Sequence, residues 1–142
     1  MTFLQALYGS QYQEIVQNGK DGSKGRFNGN IFLSAFLIIS LFLIISLIGT
    51  ISSGLMEKIN SIFHHLFGYS SGKVIGRLLA IPLLFIFYLI ISNTVGSKTN
   101  YQKMVDSFIQ LPESEKKRAN AKILIPFFIV LVALFILMMI SL

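Results

Sequence analysis

Three long apolar runs dominate the chain, separated by two stretches in which apolar residues recur at helical spacing. The first run is Ile31–Ile51, IFLSAFLIISLFLIISLIGTI. At 1.5 Å per residue it reaches about 32 Å, the thickness of a bilayer's hydrocarbon layer. The second run covers 74–92 and contains Pro82, which removes one helical hydrogen bond and predicts a bend. The third, 123–142, has Pro126, which either starts this helix or kinks a continuous one, and Ser141 as its one polar side chain. The pattern predicts an all-α membrane protein with three transmembrane helices, at 31–51, 74–92 and 123–142, plus two interfacial amphipathic helices.

The two amphipathic stretches are the connections. In 54–73, Leu55, Ile59, Ile62, Phe63, Leu66 and Phe67 fall on one side of a helix, opposite Glu57, Lys58, Asn60, Ser61, His64 and His65. At about 14 residues this helix is too short to span and is expected to lie at the interface. In 93–122, Tyr101, Met104, Val105, Phe108 and Leu111 share a face, and Pro112 separates that helix from the basic stretch PESEKKRANAK. There Glu113 and Lys117 have the four-residue spacing of a favourable helical pair.

The leading segment, 1–30, is polar overall. Phe3, Leu4, Leu7 and Tyr8 lie on one face of a short helix suited to the headgroup layer or to a partner. From Gly19 to Gly29, GKDGSKGRFNG is Gly-rich and basic and reads as a flexible hinge, with a contact to anionic lipid or to a partner as the alternative. The first apolar run starts too late and is too long for a cleavable signal peptide, so it reads as an uncleaved span.

Composition supports the membrane assignment: 54% of residues are hydrophobic and 13% charged, against about 25% charged in a soluble domain. The net charge of +6 is unevenly distributed. Three spans place the leading segment and the second connection on one side, with nine Lys and Arg. The other side has Lys58, Lys73 and Arg77. The positive-inside rule predicts a cytoplasmic N-terminus, an extracytoplasmic C-terminus and a bacterial-type inner membrane protein. The absence of Cys excludes disulfides and thiolate chemistry. No folded basic domain accompanies the charge, so lipid is the expected partner and nucleic acid is not.

One small-residue pattern stands out. Gly68, Gly72, Gly76 and Ala80 recur every fourth residue, a strip on which a second helix can approach closely. It marks 68–93 as the middle span with most to contact, and a helix-packing interface within the chain or with another. Arg77, just inside the apolar run, either snorkels to the headgroups or forms a candidate ion pair with Glu57. Lys116, Lys117, Arg118 and Lys122 are expected to contact anionic lipid. His64 and His65 point about 100° apart on a helix and cannot chelate one ion together, so no metal is expected. GYSSGKV is one residue short of a phosphate-binding loop and has no Ser or Thr after Lys73.

No acid, His or Lys lies deep in any span, and no nucleophile–base set or paired carboxylates are visible. Proton-coupled transport and catalysis therefore lack an agent, and no cofactor is expected. The leading expectation is a non-catalytic accessory or scaffolding subunit, assembling with an integral membrane partner or as a homo-oligomer. The alternatives are a lipid-handling enzyme or lipid-binding protein at the outer interface, using Arg77, His64 and His65, and a holin-like pore.

Overall fold

The computed structural model describes residues 1–52, 54, 57–58, 61–62, 64–65 and 72–140; the side chains of 72–79 and 138 lie outside the description. The protein is all-helical, 85% helix with no strand among the described residues. The helices are α1 (Phe3–Gln17), α2 (Lys24–Ile51), α3 (Gly72–Asn93), α4 (Lys98–Ile109), α5 (Glu113–Lys116) and α6 (Ala119–Ile140). Two helices, α2 and the one running through α6, are long and apolar enough to cross a membrane. A third is added if Ala80–Asn93 and Lys98–Ile109, bent by 71° at their break, are counted as one span.

Helix α1 opens with a capping box. The Thr2 hydroxyl accepts from the Gln5 N–H at 3.2 Å, and the Gln5 amide oxygen accepts from the Thr2 N–H at 2.8 Å. Two exposed backbone donors are thereby satisfied. The helix buries Ala6, Leu7, Tyr8 and Gly9. Its apolar face meets α2, α4 and the start of α6, so this chain supplies its own docking partner for α1. The apolar face of α4 is covered in the same way. Tyr101, Val105 and Phe108 are buried and Met104 and Leu111 half-buried, against α1 and not against a membrane surface.

The core lies where these two helices join the ends of the longer ones. Leu7, Leu33, Ile91, Phe108, Ala119 and Ile123 pack together, drawing one or two residues from each of five helices. Phe32 and Phe36 of α2 stand against Phe127 of α6, with centroids 5.5 and 6.3 Å apart, and Phe36 also stacks on Phe3. Beyond this junction only 11% of the apolar window of α2 and 6% of that of α6 is buried. The molecule is thus a packed cap at one end of largely uncovered rods.

The cap revises several sequence expectations. Among the described residues, α1 and α2 each pack on three other helices, whereas α3 packs chiefly on α2. Among the described residues the helix with most neighbours is thus α2; residues 68–71 of the 68–93 stretch lie outside them. The 19–29 segment is not a hinge throughout: Lys24–Gly29 form the first turns of α2. The turn itself is short, with Gly19 at φ +71° and Ser23 donating to the Asp21 carboxylate from its N–H at 2.9 Å and its hydroxyl at 2.5 Å. These two bonds hold the Asp21 carboxyl below its ordinary pKa. Pro126 lies inside a continuous α6 and does not start it. Glu113 pairs with Lys116 at 3.2 Å, three residues on, and not with Lys117.

Candidate functional site

Four polar side chains are drawn into the cap. Tyr8 donates its hydroxyl to Asn30 Oδ1 at 2.7 Å, and Asn30 Nδ2 donates to the Gly96 carbonyl at 3.3 Å. Ser34 Oγ donates to the Asn30 carbonyl at 2.6 Å, one turn back in its own helix. Tyr101 donates to the Gly22 carbonyl at 2.6 Å. Tyr8, Asn30 and Ser34 are wholly inaccessible to water. The Tyr8 and Tyr101 rings meet edge to face, with centroids 5.6 Å apart. The network joins α1, α2, the α1–α2 turn, the α3–α4 turn and α4.

Glycines make room for it. At Gly29 a Cβ would stand 2.6 Å from the Tyr8 ring, and at Gly25 it would stand 2.6 Å from the Tyr101 hydroxyl and 3.1 Å from the Tyr12 backbone nitrogen. At Gly96 it would strike Asn30 Oδ1, and at Gly9 the Phe108 ring. Gly25 and Gly29 are one turn apart, so α2 presents a bare edge where the tyrosines stand. Close small-residue packing thus occurs here, on the first turns of α2.

Chemically the cluster is closed. Among the described residues every buried side-chain nitrogen or oxygen has a hydrogen-bond partner. Burial pushes the Tyr8 phenol up to about 12, outweighing the opposing pull of the Arg26 charge. Burial also pushes Tyr101 to about 12, with the Tyr12 and Asp21 charges adding in the same sense. Both phenols are neutral donors at physiological pH, holding helices together.

This has a consequence in base. Below pH 10 the tyrosines are protonated whether the chain is folded or not, and their contribution is fully present. Between about 10 and 12 the unfolded chain releases protons that the folded one retains, so stability falls as pH rises. Alkaline titration followed by phenolate absorbance should show Tyr8 and Tyr101 ionising only as the cap unfolds. Replacing both with Phe should remove the late-titrating absorbance.

The residues singled out from sequence lie elsewhere. Gly72 and Gly76 are in α3, Ala80 is exposed on it, and Gly68 lies outside the described residues. Glu57 is exposed, while the Arg77 side chain, its candidate partner, lies outside the description. His64 and His65 are helical and exposed, and no described group of three or more His, Cys, Asp or Glu is placed to hold a metal. Lys116 is tied to Glu113. The Lys122 ammonium donates to the Met1 carbonyl, and the Met1 amino group sits 3.4 Å from Glu115. Lys117 and Arg118 are exposed beside them. Sequence reasoning placed Tyr8 and Tyr101 on apolar helix faces without foreseeing their hydrogen bonds, and it missed the roles of Asn30 and Gly96. The usable signal was an amide, Asn30, placed immediately before an apolar run, where a polar group is costly unless bonded.

Compared with known proteins, the chain matches no family model, no curated protein and no solved structure.

Proposed function

We propose that the protein is a non-catalytic accessory or scaffolding subunit of a larger membrane complex. In this reading α2, α3 and α6 are its three transmembrane helices, and the cap faces the cytoplasm of a bacterial-type inner membrane. Counting α3 as a span by itself follows from the burial of α4: its apolar face is used by α1, and Lys98, Lys103 and Asp106 on its other face suit water. The nine Lys and Arg of the leading segment and second connection all belong to the cap or its edges, which fits a cytoplasmic placement.

The observation that carries the assembly role is the open arrangement of the rods. Helices α3 and α6 each pack on α2, and no packing of comparable extent joins them to one another among the described residues. Ala80 is left exposed on α3, one turn beyond Gly76 and on the side that helical spacing gives to Gly72 and Gly76. A helix of a partner laid on that face would gain contacts that lipid chains cannot match. The closed polar cluster supplies rigidity to present the rods and offers no reactive group.

Purification in mild detergent should recover a partner in fixed stoichiometry, either another membrane protein or a second copy. Ala80→Phe, on an exposed position, should leave the melting temperature unchanged. It should weaken the association by about 5- to 30-fold, the equivalent of about 1–2 kcal/mol. A monodisperse monomer from both forms would refute the proposal.

A further inference from the structure

The basic 19–29 segment, for which a contact to anionic lipid is one of the sequence readings, builds a defined cleft once folded. The end of α1 and the start of α2 enclose an open cleft of about 400 Å³ lined by Ile15, Lys20, Lys24, Phe27 and Asn28. Two ammonium groups and an amide surround an apolar floor. No acid lines it; of the two acids next in sequence to lining residues, Asp21 accepts two hydrogen bonds from Ser23 and Glu14 is exposed beside Ile15. Phe27 is 54% exposed although it leans on Tyr88 of α3, with centroids 5.6 Å apart. A large ring left open beside lysines is the arrangement found where a protein meets the headgroup layer.

The level of the cleft specifies the ligand. Phe27 lies one turn before Ile31, where the apolar run begins, so it is about 6 Å below the hydrocarbon edge along the helix. That is the depth of the glycerol and phosphate groups, since the polar layer adds about 5–8 Å on each side of the core. Lys24 lies one turn lower, about 4.5 Å along the helix, a rise that its four-carbon stem is long enough to span. We infer that this cleft binds the phosphodiester headgroup of an anionic phospholipid. Lys20 and Lys24 neutralise the charge, Asn28 donates a hydrogen bond, and Phe27 rests against the glycerol. The site is distinct from the Lys116–Lys122 stretch, and it rests on the reading that α2 crosses a membrane.

The full-length protein is suited to a direct test, because it contains no Trp and Phe27→Trp would supply a single reporter. In vesicles, lipids brominated near the glycerol should quench that reporter more than lipids brominated at the chain end. Native mass spectrometry should show phosphatidylglycerol retained over phosphatidylcholine. The double variant Lys20→Gln, Lys24→Gln should lose that preference by about tenfold. Lys103→Gln, on the exposed face of α4, should keep it. Soluble glycerol phosphate should not displace the lipid. Absence of quenching by any lipid would overturn the membrane placement of α2. Quenching with no preference for phosphatidylglycerol, equal loss in Lys103→Gln, or displacement by glycerol phosphate would overturn the lipid site alone.

Discussion

Gly9→Leu is expected to destabilise the cap by about 3–5 kcal/mol, the scale of losing a buried phenylalanine. Gly9 sits on α1 facing Phe108 of α4, and even a Cβ there would overlap the Phe108 ring. Phe108 is 1% exposed and packs with Leu7, Leu33, Ile91 and Ile123, so displacing it breaks up the core cluster. A leucine at Gly9 must expel the ring or separate α1 from α4. Thermal melting in detergent, read by circular dichroism, should show a lowered transition and early loss of near-ultraviolet ellipticity. Phe108→Ala alone should cost a similar amount by leaving a cavity. The double replacement should recover a good part of the loss, because the leucine then fills what the ring vacated. Strict additivity of the two changes would sink the account, since residues in contact are expected to couple.

Asn30→Leu is expected to come next, at about 2–5 kcal/mol. It removes the acceptor of Tyr8 and the donor to Gly96 together. Each buried group left without a partner costs about 1–3 kcal/mol, and the added bulk enters a fully buried site. Tyr8→Phe should cost less, because it strands only one oxygen of Asn30, which keeps its bond to Gly96. Combining Tyr8→Phe with Asn30→Leu should cost less than the sum, since neither side of that bond is then stranded. Hydrogen exchange should show the α3–α4 turn opening first in Asn30→Leu. If exchange rises instead at the far end of α2 and leaves that turn protected, the cluster does not tie the turn to α2.

Both predictions place the molecule's cohesion in the cap, and this bears on how the spans work. A rod held at one end and scarcely covered along its length is free to accept a neighbour. The polar cluster fixes the directions in which α2 and α3 leave the cap. A fully bonded buried network also specifies one arrangement of helices over others, because a shifted register would strand its donors. Under the proposed assembly role, the cost of disturbing it should appear as lost partner binding even where the helices themselves persist.

How much of this was legible before folding can be argued residue by residue. The apolar face of α4 was visible because Tyr101, Val105 and Phe108 recur at helical spacing. That α1 would cover it was not visible, since amphipathicity states that a face will be buried and not against what. The membrane was a fair expectation for a chain so rich in apolar runs. The start of α2 was missed because Gly25 and Gly29 have poor helix propensity, and tertiary contact overrode it. Those glycines are tolerated in a helix because Tyr8 and Tyr101 occupy the space that their side chains would have taken. The strip from Gly68 to Ala80 was conspicuous because its small residues recur at a fixed four-residue spacing within one short stretch. The glycines at positions 9, 25, 29 and 96 escaped notice because their partners are distant in sequence.

The sequence by itself determined that the chain is helical, that its long apolar helices suit a lipid solvent, and that its positive charge gathers in the connections on one side. These follow from periodicity, length and charge, each readable within a few turns of chain. Only the tertiary structure decided that the leading segment is the keystone of a cap, that Asn30 is a junction between helices, and that two lysines of a Gly-rich turn line one cleft with Phe27. Such features depend on residues separated by up to about a hundred positions meeting within hydrogen-bond or van der Waals distance. Local propensity carries no information about those meetings.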